Sequence, residues 1–170
     1  MGGEAPSRLG WLAYAIAAAA LVLDQLSKWW MIEVFMLPLR LSTRILGPLS
    51  FTFVQNRGVS FGLMQAEADL VRWGLTLFSL IVAVVLGVWA RRPERGLHAL
   101  GLGLIIGGAI GNAIDRSRLG YVIDFIDVQR LGFFPWVFNV ADSAITVGVI
   151  ALLVDSLRRD GAASAAQKDA

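Results

Sequence analysis

The chain has 170 residues, of which 56% are hydrophobic and 16% are charged, and its formal net charge is +2. Soluble proteins carry about 25% charged residues, so this composition predicts a protein of the membrane. The chain has no cysteine and a single histidine, His98, which excludes thiol chemistry, disulfides and thiolate zinc sites and disfavours imidazole catalysis. We therefore expect no metal and no cofactor, and the scattered basic residues indicate no binding to nucleic acid.

Four long apolar segments predict four transmembrane helices, because each can cross a hydrocarbon core that needs about 20 apolar residues. The predicted spans are residues 11–36, 71–90, 97–115 and 135–157. The first span could be a cleaved signal peptide, since Arg8 precedes an alanine-rich stretch. Its apolar character resumes after Asp24 without a small-residue cleavage site, so we interpret it as an uncleaved span.

The connections between the spans differ in their density of basic residues. Residues 91–96 place three arginines between the second and third spans, and Arg158 and Arg159 follow the fourth. Because short cytoplasmic loops are enriched in Lys and Arg, we place this loop and both termini in the cytoplasm. The other two connections are then expected on the outer side.

The insert at residues 38–70 is predicted to fold on that outer side. Residues 49–53 alternate apolar and polar side chains between two turn signals, which predicts a small β-sheet. Residues 63–72 mix acidic and apolar side chains, which is typical of a short interfacial helix. At the other end of the chain, the alanine-rich residues 161–170 are predicted to form a disordered cytoplasmic tail.

Asp24 and Lys28 are ionisable residues inside the first span, where a charge is costly and usually has a function or a partner. They are four residues apart, so they share a helix face and can neutralise each other. Both an ion pair that supports helix packing and a catalytic pair fit this spacing.

The third span has glycine at every fourth position, at 103, 107 and 111, which predicts close packing against another helix. Asn112, Asp115 and Arg116 follow at its outer end, and Asn112 and Arg116 share a face. A guanidinium there can bind a carboxylate, an acyl carbonyl or a lipid phosphate, or it can serve only as a headgroup anchor.

The fourth span carries polar residues at offsets of three, four and seven, which predicts that they face one side of the helix. They are Asn139, Asp142, Ser143 and Thr146. Asp142 needs a partner inside the bundle, and the candidates are Asp124 and Asp127 in the preceding connection. Two buried carboxylates share a proton, so one can activate water while the other polarises a scissile carbonyl. A proton relay would also use such aspartates.

Five motifs, in this order, resemble those of bacterial lipoprotein signal peptidase, also called signal peptidase II. They are DQLSK at 24–28, NRGVSFG at 56–62, GGAIGNAIDR at 107–116, VIDF at 122–125 and FNVADS at 138–143. Together they extend from the first span to the fourth. One departure is that Val59 and Ser60 stand where the family commonly has two alanines, which concerns the local shape of the outer loop.

This resemblance implies an aspartic endopeptidase of the bacterial inner membrane. The substrate it implies is a prolipoprotein with a diacylglyceryl cysteine, cleaved on the N-terminal side of that cysteine. The implied fold is membrane α-helical, with four transmembrane helices, a small extracytoplasmic β-sheet and a short interfacial helix in one peptidase domain at 1–160. We expect a monomer that contacts membrane lipids and has its active site near the periplasmic face.

The resemblance also selects Asp124 over Asp127 and gives Asp124 and Asp142 as the catalytic pair. Other residues match family positions that line the site, hold the substrate or support the pair. These are Asn56, Gly58, Asn112, Arg116, Asn139, Asp24 and Lys28.

Three other functions fit parts of the sequence. An ion-coupled transporter could use the intramembrane aspartates, but these cluster at the outer end and no span has a mid-membrane break. A serine–lysine protease would pair Lys28 with a serine, but the adjacent Ser27 points to another face, and Ser60 and Ser143 would need a fortuitous fold. A non-catalytic assembly protein would show no turnover.

Overall fold

The computed structural model describes residues 5–58 and 65–168, with the backbone alone for residues 65–68 and 160–168. The helices are α1 (Arg8–Trp29, continued by a π-helical segment Trp30–Val34), α2 (Leu37–Arg40), α3 (Gln65–Trp89), α4 (Gly96–Leu119) and α5 (Val140–Lys168). The strands are β1 (Ser42–Leu46), β2 (Leu49–Asn56), β3 (Val122–Asp127) and β4 (Val137–Phe138).

Within the described residues, four helical segments are long and apolar enough to cross a membrane, as predicted. They are Arg8–Val34, Asp69–Trp89, Gly96–Leu119 and Val140–Arg159. The last begins later than the predicted residue 135. Val137 instead pairs with Asp127 in the sheet, and the side chain of Asn139 accepts the N–H of Asp142 at the start of α5. Residues 135–139 therefore lead into the fourth span and are not part of it.

Helix α4 is the centre of the bundle and packs against α1, α3 and α5. Its most apolar stretch is 72% buried, whereas the corresponding stretch of α3 is 11% buried. The exposed side chains of α3 are large and apolar, for example Leu77, Phe78 and Val84. Such a surface requires lipid around it, because water would not accommodate so large an apolar area.

The glycines of α4 allow α1 to approach closely, which confirms their predicted role. A Cβ atom on Gly103 would lie 2.5 Å from the carbonyl oxygen of Ala13, and one on Gly107 would collide with that of Ala17. Ala13, Ala17 and Ala20 of α1 are themselves buried. Small residues on both helices therefore bring the two backbones together.

Two predicted segments differ in the structure. Residues 63–64 lie outside the described residues, and from Gln65 the backbone runs without interruption into α3, so no separate interfacial helix begins there. Neither Gly nor Pro stands between Gln65 and Trp73 to end a helix. Helix α5 likewise continues to Lys168, through most of the segment predicted as a disordered tail, and the alanines there favour helix.

The predicted small sheet is present and has four antiparallel strands in the order β1-β2-β3-β4. The alternating residues 49–53 belong to β2. The sequence had not indicated β3 as a strand. Its residues Ile123 and Phe125 pack with Met31 and Leu37 at the end of α1 and in α2. Because alternate side chains point to opposite faces of a strand, Asp124 projects from the other face.

Candidate active site

The predicted site residues lie at one end of the bundle, which we call the sheet end. It consists of the sheet, the last turns of the transmembrane helices α1 and α4, and the first turn of α5. The opposite end holds the arginine-rich loop at residues 91–96, between α3 and α4. The predicted site residues and the arginine-rich loop therefore lie at opposite ends of the bundle.

Asp124 lies in the middle of β3 and is 1% exposed. It pairs with Val54 across the sheet, so Asn56, two residues further along β2, is its diagonal neighbour on the same face. The Nδ2 atom of Asn56 donates to Asp124 Oδ2 at 2.9 Å. The sheet register therefore brings these two predicted residues together.

Gly58 acts on Asn56 through a local turn. Its N–H donates to Asn56 Oδ1 at 2.9 Å, which leaves the Nδ2 atom of Asn56 to face Asp124. Gly58 has a φ of +74°, and an added Cβ would collide with Leu75 of α3. The backbone conformation at this position therefore requires glycine.

Asn139 precedes α5 and caps its N-terminus. Its Oδ1 atom accepts the N–H of Asp142 at 2.9 Å, and Asp142 Oδ2 accepts the N–H of Asn139 at 3.4 Å. This reciprocal arrangement is a capping box. Asp142 therefore lies in the first turn of α5 and not deep in the span, and the helix N-terminus stabilises its negative charge.

A chain of amide hydrogen bonds joins the two carboxylates. The backbone N–H of Asp142 fixes the Oδ1 atom of Asn139, so the Nδ2 atom of Asn139 faces Asp124 Oδ1 at 2.7 Å and Asn112 Oδ1 at 3.2 Å. The Nδ2 atom of Asn112 then donates to Asp142 Oδ1 at 2.8 Å. Both amides are consequently oriented with their donors toward the carboxylates.

Asp127 is the other carboxylate that the spacing left open, and it lies in a different environment. Its Oδ2 atom accepts the hydroxyl of Thr52 at 2.7 Å, and its Oδ1 atom accepts the N–H of Gln129 at 3.0 Å. Both partners belong to the sheet and the turn after β3. The amide chain thus connects Asp142 to Asp124 and does not include Asp127.

Burial is the main cause of a shift in the pKa of Asp124. Burial, with a further contribution from the negative charge of Asp142, raises this pKa from 3.8 to about 6. Hydrogen bonds from Asn56 and Asn139 and the charge of Lys28 oppose the rise and do not cancel it. Asp124 therefore keeps a proton at pH values where an ordinary aspartate has lost it.

Asp24 and Lys28 form the predicted ion pair, with 2.8 Å between Lys28 Nζ and Asp24 Oδ2. Lys28 also lies 2.8 Å from Asp115 Oδ2 and 3.4 Å from Asn112 Oδ1. Asp115 is not among the predicted site residues, and neither is Gln25, which donates to Asp115 Oδ1 at 3.0 Å. Gln25 follows Asp24 and Asp115 precedes Arg116 in the sequence, so their positions beside predicted site residues are the signal that could have identified them.

Arg116 is one helical turn beyond Asn112 on α4 and is half-buried. Its positive charge acts on Asp142, Asp124 and Asp115. Among the described residues its buried Nε atom has no hydrogen-bond partner. A guanidinium with an unused donor beside the two carboxylates can bind a carbonyl oxygen of a ligand.

The hydroxyl groups near the site bond to helix carbonyls. Ser27 Oγ donates to the carbonyl of Asp24 at 2.7 Å, and Ser143 Oγ donates to that of Asn139 at 2.9 Å. The ammonium group of Lys28 contacts Asp24, Asp115 and Asn112. Neither serine is therefore paired with Lys28 as a serine–lysine protease requires, and Ser60 lies outside the described residues.

Comparisons with known proteins agree with the resemblance in the motifs. The family model for signal peptidase (SPase) II matches residues 16–158. The lipoprotein signal peptidase of Caulobacter vibrioides is 54% identical over 151 residues, which cover 88% of this chain and 89% of that relative. The lipoprotein signal peptidase of Methylobacterium radiotolerans is 45% identical over 156 residues, covering 92% and 90%.

A solved structure described as a bacterial membrane enzyme, determined in meso at 1.9 Å resolution, has the same fold. Its TM-score is 0.74 at 25% identity, covering 91% of this chain and 97% of that one. The match of family, relatives and fold extends over nearly the whole chain. The chain therefore belongs to the signal peptidase II family and is a multi-pass bacterial membrane peptidase.

Proposed function

We propose that this peptidase cleaves the signal peptide from diacylglyceryl-modified prolipoproteins, with Asp124 and Asp142 as its catalytic pair. The observation that supports this assignment is the amide chain that runs from one carboxylate to the other through Asn139 and Asn112. It holds two acidic groups from different elements in one hydrogen-bonded network, as a carboxylate pair for general acid–base chemistry requires.

In the proposed reaction the pair holds one proton. Asp124 is its carrier, because a pKa of about 6 leaves part of the Asp124 population protonated near neutral pH. Asp142 stands at a helix N-terminus, where a negative charge is stabilised. Ionised Asp142 takes a proton from water, and the resulting hydroxide attacks the scissile carbonyl while Asp124 donates its proton to the carbonyl oxygen. The C–N bond of the tetrahedral intermediate then breaks as Asp142 gives its proton to the leaving nitrogen and Asp124 takes back a proton from a hydroxyl, which restores the pair.

Two further residues are proposed to hold the substrate. The unused Nε donor of Arg116 suits a backbone carbonyl near the scissile bond. Asn56 would support the peptide on the sheet side, since it already orients Asp124. These contacts would position the peptide against the pair and contribute to the rate through orientation.

We also propose the placement of the molecule in the inner membrane. The arginine-rich loop at residues 91–96 favours the cytoplasm for its end of the bundle, together with both termini. The sheet end would then lie at the periplasmic face, where a diacylglyceryl cysteine in the outer leaflet presents its scissile bond. All the residues that the proposal uses belong to one chain, which is consistent with a monomer surrounded by lipid.

The proposal is tested by incubating the purified protein with a prolipoprotein, either diacylglyceryl-modified or unmodified. We expect release of the signal peptide from the modified substrate, with the new N-terminus at the lipidated cysteine. A serine-directed covalent inhibitor should leave the rate unchanged. Cleavage of both substrates at equal rates, or loss of activity with the inhibitor, would contradict the proposal.

A further inference from the structure

Lys28 lies next to Asn112, which bonds to the proposed catalytic Asp142, and it uses all its hydrogen-bonding capacity there. Its ammonium group contacts Asp24, Asp115 and Asn112, which equals the number of hydrogens it can donate. Lys28, Asp24 and Asp115 are 2%, 0% and 3% exposed, so water does not compete for these contacts. We call these three residues the Lys28 clamp.

The two carboxylates of the clamp each hold a backbone segment that carries a catalytic aspartate. Asp24 Oδ1 accepts the N–H of Ala141 at 2.9 Å, directly before the catalytic residue of α5. Asp115 Oδ2 accepts the N–H of Ile123 at 3.3 Å, directly before the catalytic residue of β3. Lys28 therefore joins, through two carboxylates, the two backbones whose separation sets the geometry of the pair.

Side chains add to a short backbone link near this point. Strand β3 pairs with β4, which ends just before α5, but among the described residues no backbone hydrogen bond joins β3 to α5 itself. Gln25 adds a second link, because its Nε2 atom donates to Asp115 Oδ1 at 3.0 Å and to Asp24 Oδ2 at 3.2 Å. The absence of a side chain at Gly111 leaves room for the Asp24 carboxylate, since a Cβ there would lie 2.5 Å from its Oδ2 atom.

We propose that Asp115 is a positioning residue which, with Asp24 and through Lys28, sets the distance between the carboxylates of Asp124 and Asp142. This inference rests on the proposed function of that pair. Asp115 contacts Lys28, Gln25 and a backbone N–H, and it acts through them and not on the substrate. A shift of the pair should therefore change the chemical step and leave substrate binding unchanged.

The first test is Asp115→Glu in the full-length protein, assayed with the diacylglyceryl-modified prolipoprotein. This variant keeps the charge and moves the carboxylate by one methylene. Because a misplacement of about 1 Å can cost on the order of 100-fold in rate, we expect kcat to fall by roughly that factor while KM is unchanged. Asp127→Asn, whose partners are Thr52 and Gln129, is the matched acidic control and should retain the wild-type kcat.

The pH dependence of kcat separates a change of spacing from a change of charge. Two coupled carboxylates titrate as a pair. Their repulsion sets how many pH units separate the acid limb of the kcat profile from its alkaline limb. The charged groups beside the pair are Asp24 and Lys28 on α1 and Asp115 and Arg116 on α4. We expect Asp115→Glu to change the separation between the two limbs, whereas removal of a negative charge alone would move both limbs to lower pH.

A double variant, Lys28→Met with Asp115→Asn, removes one charge of each sign and so keeps the net charge of the clamp. If the clamp only sets the net charge beside the pair, this protein should recover the kcat that Lys28→Met alone loses. If the clamp positions the pair, kcat should remain low in the folded double variant, because the link from Asp24 through Lys28 to Asp115 is broken.

Wild-type kcat and limb positions in a folded Asp115→Glu protein would overturn the inference, as would a fully active double variant. Neither result would affect the proposed function, which instead fails if Asp124→Asn cleaves normally.

Discussion

Asn139 combines two tasks that different atoms of its side chain perform. Its Oδ1 atom caps α5, and its Nδ2 atom donates to Asp124 and Asn112. The cap positions Asp142, and the donor links Asp142 to Asp124. The first task concerns the stability of a helix, and the second concerns the arrangement of the proposed catalytic pair.

Two substitutions separate these tasks. Asn139→Ser keeps an oxygen that can cap the helix and removes the amide donors, whereas Asn139→Ala removes both. We expect both variants to lose signal-peptide cleavage, and Asn139→Ala to be less stable than Asn139→Ser by about 1 kcal/mol. Thermal unfolding in detergent and a cleavage assay measure the two effects. Equal stability of the two variants would contradict the capping role.

The buried carboxyl of Asp124 should link stability to pH. Its pKa is 3.8 when exposed and about 6 when folded, so between these values the folded protein binds more protons than the unfolded protein. Its contribution to stability is then complete below pH 3.8 and is lost as the pH rises through 6. The shift corresponds to about 3 kcal/mol.

Other acidic groups titrate in the same range, so the comparison is with Asp124→Asn. From pH 4 to pH 7 we expect the free energy of unfolding of the wild type to fall by about 2 kcal/mol relative to this variant, because part of the full change lies below pH 4. Unfolding curves at several pH values give the difference. A difference that stays constant across this range would show that Asp124 has an ordinary pKa.

At the scale of elements, the contact between α1 and α4 supports both the fold and the site. Small residues bring the helices together along most of their length, and at Gly111 the same closeness makes room for the Asp24 carboxylate. The N–H of Ala141 on α5 bonds to that carboxylate. The close packing of α1 against α4 at Gly111 therefore also positions the start of α5.

Gly111→Ala should displace the Asp24 carboxylate and reduce cleavage by at least about 10-fold, because Asp142, the proposed catalytic residue of α5, would move with it. The control is Gly74→Ala on α3, where an added Cβ has no described neighbour within 4 Å. That variant should cleave normally and be as stable as the wild type or slightly more stable, since Ala favours helix. Normal cleavage by Gly111→Ala would show that Asp24 does not position α5.

Local patterns predicted some of these elements and missed others for identifiable reasons. Long apolar segments, the glycine spacing and the Asp24–Lys28 pair are properties of single helices, and the structure has them. The sequence Asn-x-x-Asp at 139–142 is a capping-box signal for the start of α5. The spacing of these residues alone instead predicts that they share one face of a helix. The contact of Asp24 with Ala141 joins residues 117 positions apart, so only the tertiary structure reveals it.

At the scale of the whole molecule, the proposal requires the sheet end and the arginine-rich loop to lie on opposite sides of the membrane. The chain has no cysteine, so single-cysteine variants report on one position each. We expect a membrane-impermeant thiol reagent to label Thr43→Cys, in β1, from the periplasmic side. Glu94→Cys, in the loop at the other end, should be labelled only after the membrane is opened. The reverse result would invert the proposed orientation.

The central claim is that Asp124 and Asp142 together carry out the cleavage, and the most direct test is the rate of three variants. The substrate is the diacylglyceryl-modified prolipoprotein, and the measured quantity is kcat/KM for release of the signal peptide. Asp124→Asn and Asp142→Asn should each lower it by at least about 100-fold, since general acid–base groups contribute roughly 10²- to 10⁴-fold. Asp127→Asn should cleave at the wild-type rate. Near wild-type cleavage by either variant of the pair, in a folded protein, would contradict the account.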